Sequence, residues 1–304
     1  MNVLVTGANG QLGNELRKIS NGFSDYRFFF TDIDELDITN PLAIDYFFEN
    51  NGIETVINCA AYTAVDKAES DEAAAMLINA TAVKYLASAC NKLNVTLIHI
   101  STDYVYDGCA CVPYREEHAV APATIYGISK LEGEKAALSV KKSVVIRTSW
   151  LYSSFGDNFV KTMLRLGAEH GALNVVFDQT GTPTYAADLA QAIVLIVKHA
   201  ERGNLKTGIF NYSNEGVCSW YDFAYEIMQQ ARLKCKLYPI ETKDYPTPAK
   251  RPQYSVLNKA RIKSVYGIKI PHWKDSLKKC LNQMLRQNEW EHSFVTQKTQ
   301  ADKA

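Results

Sequence analysis

Short apolar blocks alternate with stretches of helical period through the first half of the chain. The blocks read at Asn2 to Thr6, Arg27 to Thr31, Thr55 to Asn58, Thr96 to Ile100 and Ser143 to Arg147. Apolar runs of about four to eight residues bounded by turn residues mark strands buried on both faces. Between them lie helical segments near Gln11 to Ile19, Pro41 to Asn50, Ser70 to Leu93 and Ala123 to Ser139. The first puts Leu12, Leu16 and Ile19 on one face. The third puts Ala75, Ile78, Ala82, Leu86 and Ala89 on an alanine-rich face suited to close packing on a sheet. Strand and helix in alternation predict a parallel sheet covered on both sides. Right-handed crossovers then make it doubly wound, with ligand expected beyond the C-terminal ends of the strands.

After Arg147 the alternation breaks down. A smaller domain is expected from Trp150 to His170 and from Gly208 onward, with the chain returning to the main sheet through a strand near Asn174 to Phe177 and a helix from Ala186 to Ala200. The expected division is therefore 1–149, its sheet also receiving 172–203, then 150–171 with 204–286. The polar tail, 287–304, has little periodicity and should be frayed or ordered only by packing.

The first strand runs directly into Gly7, Gly10 and Gly13, so strand, tight turn and helix start occupy the opening residues. Such a turn lets backbone approach a pyrophosphate, and the first helix amides present N–H groups and a positive dipole end to it. The second strand leads to Asp32, where a carboxylate can accept bonds from an adenosine ribose and disfavours a 2′-phosphate, while Arg17 and Lys18 are cations able to reach one. Asp37 and Ile38 either flank an adenine or form a solvated turn before Pro41. After the third strand, Ala60 and Ala61 leave room for a cofactor against the backbone. After the fourth stand Ser101 and Thr102, hydroxyls able to bond a substrate oxygen.

Tyr126 and Lys130 stand at i, i+4 and share a helix face. A phenol titrates near pH ~10, and an adjacent ammonium favours the phenolate, so this pair can trade a proton with a carbonyl oxygen near neutrality.

Composition narrows the classes. The chain of 304 residues carries 33 basic and 33 acidic side chains and no net charge, so a nucleic-acid footprint is absent. The first strand begins without a charged region and long apolar stretch, and no run is expected to supply the ~20 apolar residues of a membrane span; a cytoplasmic protein is expected. Seven scattered cysteines suit reduced thiols, and the Cys109 and Cys111 pair has no second ligand pair near it. The six histidines show no ligand spacing, and His99, inside a strand, reads as a satisfied buried imidazole.

The glycine turn, NCAA, the strand-end STD and YxxxK, in that order, resemble the extended short-chain dehydrogenase/reductase superfamily. The longer strings AAYTAVDKAES, STDYVYDG, YGISKLEGEKA, RTSWLY, DQTGTPTYAADLA and YPTPAKRPQYSVLN narrow the resemblance to its dTDP-4-dehydrorhamnose reductases, from residue 1 to about 285. The resemblance implies a Rossmann domain with a smaller C-terminal α/β substrate-binding domain. It implies hydride transfer from NADPH or NADH to a dTDP-sugar, with Tyr126 as proton donor, Lys130 holding the nicotinamide ribose and lowering the tyrosine pKa, and Thr102 tuning proton transfer. Implied cofactor contacts fall on Gly7, Gly10, Gln11, Leu12, Gly13, Asp32, Asp37, Ile38, Ala61, Tyr62, Thr63, Ile100, Tyr126 and Lys130. Implied substrate contacts fall on Thr102, Asp103 and Trp150; Asp103 can equally cap its loop. Trp150 offers a flat ring for a sugar, and the guanidinium of Arg251 suits a diphosphate oxygen or a structural ion pair.

Some bacterial members form dimers bridged by magnesium through glutamates. Here the matching stretch holds Ala186, Ala187 and Asp188 and no glutamate, so no structural metal is expected, although a homodimer remains compatible. A regulatory subunit of methionine adenosyltransferase shares this branch, but the intact Thr102, Tyr126 and Lys130 set argues for turnover. A nucleotide-sugar epimerase or dehydratase is the other alternative. Dehydratases need further acidic residues beside the STD hydroxyl, and only Asp103 is present.

Overall fold

The structure is a computed structural model and describes residues 1–285. Its centre is a six-stranded parallel sheet formed by β1 (Asn2–Thr6), β2 (Arg27–Thr31), β3 (Thr55–Asn58), β4 (Thr96–Thr102), β5 (Ser143–Thr148) and a late strand, Gly208–Asn211. The helices between them are α1 (Gln11–Ser20), α2 (Pro41–Asn51), α3 (Val65–Ala68), α4 (Glu72–Met76), α5 (Ala82–Leu93) and α6 (Ile125–Leu138). Beyond β5 follow β6 (Leu151–Tyr152), α7 (Phe159–Glu169), β7 (Ala172–Val176), β8 (Thr180–Gly181), β9 (Thr184–Tyr185) and α8 (Ala186–Glu201). The late sheet strand is thus β10, and β11 (Cys218–Ser219), α9 (Trp220–Ala231), β12 (Lys236–Ile240) and α10 (Ala260–Tyr266) complete the named elements.

Strand order in the main sheet is β10-β5-β4-β3-β1-β2. The chain leaves β1 toward β2 on one side and resumes at β3 on the other, which opens a crevice at the C-terminal ends of β1 and β3. Alternate residues face opposite layers. Val3 and Val5 join Leu12, Leu16 and the α8 face around Ile193, while Leu4 joins Ile44, Phe48, Leu86 and Ala137. Each large apolar side chain buried this way contributes roughly 1.5–3 kcal/mol, so the two layers fix the strand ends with their loops. A third cluster, including Tyr152, Val160, Phe223, Ile227 and Leu277, forms a separate core for the second half of the chain.

The expected return to the sheet is half right. Helix α8 does pack on it, against α1, but β7 pairs in parallel with β12 in a separate two-stranded sheet. The sixth strand is β10, from the segment assigned by sequence to the smaller domain; it pairs with β5, Phe210 opposite Ile146. The polar tail expected over 287–304 lies outside the described residues.

The single helix expected from Ser70 to Leu93 is interrupted by a π-helical turn, Leu77–Thr81. By length and composition the stretch Glu72–Leu93 is apolar enough to cross a membrane, contrary to the sequence expectation. Half of it is buried in the fold, where α5 packs on α2 and α6. Its apolar face therefore belongs to the core. The extra residue of the turn bulges Asn79 inward, where it donates to the Tyr62 carbonyl at 3.1 Å and to Ser129 Oγ at 3.0 Å.

Candidate active site

The crevice at the strand ends is a cleft of about 970 Å³. Gly7 has φ +65°, and a Cβ there would stand 2.5 Å from the Ala60 nitrogen, so only glycine lets the β1 turn lie against the segment leaving β3. Gly10 caps α1 without a side-chain hydrogen bond, leaving the first helix amides free for an anion. Asp32 is held by the Asn9 amide at 3.0 Å and the Ile33 amide at 2.9 Å, and Asp37 closes an Asx turn on the Thr39 amide at 2.8 Å. Gly7, Gly10, Gln11, Leu12, Gly13, Asp32, Asp37, Ile38, Ala61, Thr63 and Ile100 all line the cleft. Tyr62 does not: its amide donates to Asn79 Oδ1 and its hydroxyl to Asp71 Oδ2.

The other end of the cleft is built by α6 and the end of β4. Thr124 caps α6, accepting the Gly127 amide at 3.1 Å. A Cβ on Gly127 would collide with the Tyr104 carbonyl, so glycine after Tyr126 lets the 3₁₀ turn Asp103–Val105 sit directly on the helix. The Tyr104 and Tyr126 rings then meet edge-on at 5.4 Å. Ser129, donating to the Tyr126 carbonyl and accepting from Asn79, ties this turn of α6 to the π-helical bulge.

Tyr126 and Lys130 both line the cleft. Burial pushes the Tyr126 phenol up; the Thr102 hydroxyl lowers it, while Asp103 and Tyr104 raise it further. Lys130 Nζ donates to the Ile100 carbonyl at 2.6 Å. Burial depresses the ammonium to about 8, against the charges of Glu134 and Cys59. Beneath it, one turn on, Glu134 accepts from Ser101 Oγ at 2.5 Å and pairs with the equally buried Arg147 at 2.7 Å. His99, read as satisfied, is half so: Nδ1 meets Asn58 at 3.1 Å and Nε2 has no partner, while burial and Lys130 hold the imidazole well below its usual pKa and neutral.

Thr102 Oγ1 donates to Asp103 Oδ1 at 3.0 Å and accepts the Tyr104 amide at 3.2 Å, so the hydroxyl and the loop cap are one unit. Asp103 is 4% exposed and its Oδ2 is buried without a partner. Burial pushes this carboxyl up to about 7, offset in part by the hydrogen bond from Thr102. The charged form is therefore disfavoured in the fold relative to the unfolded chain, where an aspartate titrates near pH ~4. Native stability should fall as pH rises from ~4 toward ~7 and level off above that. Melting temperatures of wild type and Asp103→Asn across this range are expected to move in the asparagine variant's favour as pH rises. An unchanged difference would show that the carboxyl is charged throughout.

Trp150 lines the cleft in a left-handed conformation, φ +48°, which costs a non-glycine residue roughly 1–2 kcal/mol. Its ring stacks on Trp220 at 3.6 Å and 10°, so one of the two faces offered by sequence to a sugar is already covered. Arg251 lies outside the main cleft. It pairs with Asp66, donates to the Tyr104 hydroxyl at 3.2 Å, and lines an adjoining cavity of about 400 Å³ with Tyr104, Thr124, Thr247 and Gln253. Tyr104 lines both cavities and joins them. Sequence reasoning gave no role to Tyr104, Asp66, Glu134 or Trp220; the first three stood inside quoted strings, but only the packing brings them to the site.

A family model described as "RmlD substrate binding domain" matches residues 1–286. The chain is 40% identical over 284 residues to a dTDP-4-dehydrorhamnose reductase of Aggregatibacter actinomycetemcomitans, covering 91% of this chain and 97% of the relative. Among solved structures, a dTDP-4-dehydrorhamnose reductase of Clostridium acetobutylicum superposes with TM-score 0.89 at 44% identity, over 94% of this chain and all of that one (100%). The corresponding enzyme of Bacillus anthracis, solved in complex with NADP, gives TM-score 0.88 at 37% identity, over 93% and 99% of the two chains.

Proposed function

The chain belongs to the RmlD substrate binding domain family, and from that membership we propose that it reduces the C4 keto group of dTDP-4-dehydro-L-rhamnose to dTDP-L-rhamnose, with NADPH or NADH as reductant. The observation that carries this reading is that Thr102, Tyr126 and Lys130 line one end of a cleft whose other end is the glycine turn and the uncapped start of α1.

The residues fit a dinucleotide. The turn at Gly7 admits a pyrophosphate against backbone, and Asp32 stands where an adenosine ribose is expected. The B. anthracis relative holds NADP, and here Arg17 lies over the Phe30 ring at 5.1 Å and donates to Asn9, whose amide binds Asp32. A cation next to the ribose carboxylate supports use of the 2′-phosphorylated cofactor. When bound, the reduced nicotinamide supplies the hydride to C4. Tyr126 gives its proton to the oxygen emerging there, Thr102 hydrogen-bonds that oxygen, and the Lys130 ammonium holds ribose hydroxyls and offsets negative charge. Trp150 and Asp103 contact the sugar, and the cavity beyond Tyr104 takes the diphosphate and nucleoside. The residue after Asp103 is Tyr104, not a second acid, which supports a simple reductase over a dehydratase. The seven free cysteines suit a reducing cytoplasm.

Supplying dTDP-4-dehydro-L-rhamnose and following loss of reduced-nicotinamide absorbance tests the reading; absence of turnover with either cofactor contradicts it. Within it, Arg251→Ala is expected to raise KM for the dTDP-sugar by about ten- to hundredfold, the worth of a charged hydrogen bond, with the NADPH KM unchanged. An equal rise for both ligands would remove Arg251 from the sugar nucleotide.

A further inference from the structure

We propose that Trp220 is a positioning residue for the reduction: its ring holds the Trp150 indole in one orientation at the wall of the cleft, and so fixes where the sugar meets the hydride and Tyr126. The proposal rests on the reductase reading above, in which Trp150 contacts the sugar, and adds what aims that contact.

The two rings stack with 3.6 Å between centroids and 10° between planes. Trp150 lines the cleft and Trp220 does not, so Trp220 acts on substrate only through its neighbour. The Trp150 ring also rests on Gly181, where a Cβ would stand 2.6 Å from Cε2 and 2.7 Å from Cζ2. No positive φ calls for glycine at that position; the indole, with Ser255 Oγ, takes the space a side chain would need. The Trp150 backbone is itself left-handed, φ +48°, a conformation that a bulky residue keeps only where its surroundings over-determine it. Its carbonyl accepts the Thr184 amide at 3.1 Å, which fixes the base of the side chain.

The slot that receives the ring comes from one ladder. Strands β8 and β11 pair antiparallel, Gly181 opposite Cys218 and Thr180 opposite Ser219, so the bare glycine and the start of α9 are fixed to each other. Ser219 closes a capping box with Asp222, which sets Trp220 as the first residue of that helix. Phe159 of α7 meets the Trp220 ring at 4.5 Å, so the second core holds Trp220 and Trp220 holds Trp150. Trp150 stands in the link from β5 to β6, and the stack thereby ties the wall of the cleft to the smaller core. A ring held on a face and against a backbone presents one orientation to a sugar, and a misplacement of about 1 Å at a reacting centre costs roughly a hundredfold in rate.

The test is a double-mutant cycle in steady-state kinetics with NADPH and dTDP-4-dehydro-L-rhamnose, joined to fluorine NMR of protein labelled with 5-fluorotryptophan, a readout that needs no turnover. The chain has four tryptophans, so the Trp150 line is assigned by its loss in Trp150→Phe. Trp220→Ala should lower kcat for the sugar about ten- to hundredfold with the NADPH KM unchanged, and Trp220→Phe, which keeps a ring on the stack, should recover most of it. In a Trp150→Ala background the loss of Trp220 should cost little further, because its effect passes through Trp150. The Trp150 line should be single and sharp in wild type and in Trp220→Phe, should shift when dTDP-L-rhamnose is added, and should broaden or split in Trp220→Ala. Gly181→Ala, which displaces the ring from its other contact, should give the same loss and the same broadening, and decides the matter if Trp220→Ala does not fold. Additive losses in the double variant, a Trp220→Phe as slow as Trp220→Ala, or a Trp150 line that stays sharp without Trp220 would overturn the proposal. If wild type does not turn over, the functional reading fails by itself, and the Trp150 line still decides whether Trp220 orients its neighbour.

Discussion

Replacing Tyr126 by phenylalanine is expected to lower kcat by roughly 10²- to 10⁴-fold, the range that a positioned general acid contributes, while NADPH affinity changes little. The half-buried phenol lies between α6 and the Asp103–Val105 turn and faces the cleft, with the Tyr104 ring against its edge, so phenylalanine fits the same space. What disappears is the hydroxyl that gives its proton to the new alkoxide. The structure makes the effect larger than the sequence alone implies, because burial raises the phenol and leaves it protonated at every working pH. The acid is always loaded, and the difficulty lies in ionising it, which Thr102 assists. Steady-state kinetics with a fluorescence titration of NADPH checks this; a variant as fast as wild type would remove Tyr126 from the chemistry.

The largest structural effect should come from Glu134. Its carboxylate is 1% exposed and accepts Arg147 through Nε at 2.9 Å and Nη2 at 2.7 Å, together with Ser101. Glu134→Leu leaves the Arg147 guanidinium buried with only the Tyr106 hydroxyl and a backbone carbonyl, a situation that costs about 3–5 kcal/mol. At roughly 2–4 °C per kcal/mol for a chain of this size, the melting temperature should drop by about 10 °C or more. Pairing it with Arg147→Met should recover much of the loss, since two apolar residues leave no buried charge unpaired. A single variant that melts within a degree or two of wild type would show that water reaches Arg147. The pair also fastens α6 to β5 below Lys130, so the double variant separates stability from function. It should fold and bind NADPH yet turn over more slowly, because Ser101 and Lys130 lose a neighbour.

The parts of the site that sequence reveals are those set by local chemistry. The turn at Gly7 to Gly13 is legible because a backbone lying on Ala60 admits no side chain, and α6 is legible because Tyr126 and Lys130 share one helix face. The strand ending at Thr102 and the carboxylate at Asp32 follow from the same alternation of buried blocks. What sequence misses depends on long-range pairing. The run at Ala172–Val176 is apolar enough for either parallel sheet, and only the choice of β12 as partner decides between them. The π-helical turn at Leu77–Thr81 is invisible to a helical period because it adds one residue, yet it positions Asn79 against α6. The spacing of Tyr126 and Lys130 is legible, but the partner of the ammonium is not: it donates to the Ile100 carbonyl, on a strand that only the fold brings beside α6.

The central claim, hydride delivery to C4 of a dTDP-bound keto sugar, is tested most directly with NADPH carrying deuterium at the transferable position. Incubated with dTDP-4-dehydro-L-rhamnose, the protein should yield dTDP-L-rhamnose with a single deuterium at C4, seen by NMR as loss of the C4 proton signal. Product without deuterium at C4, or the C4 epimer as sole product, would contradict the account.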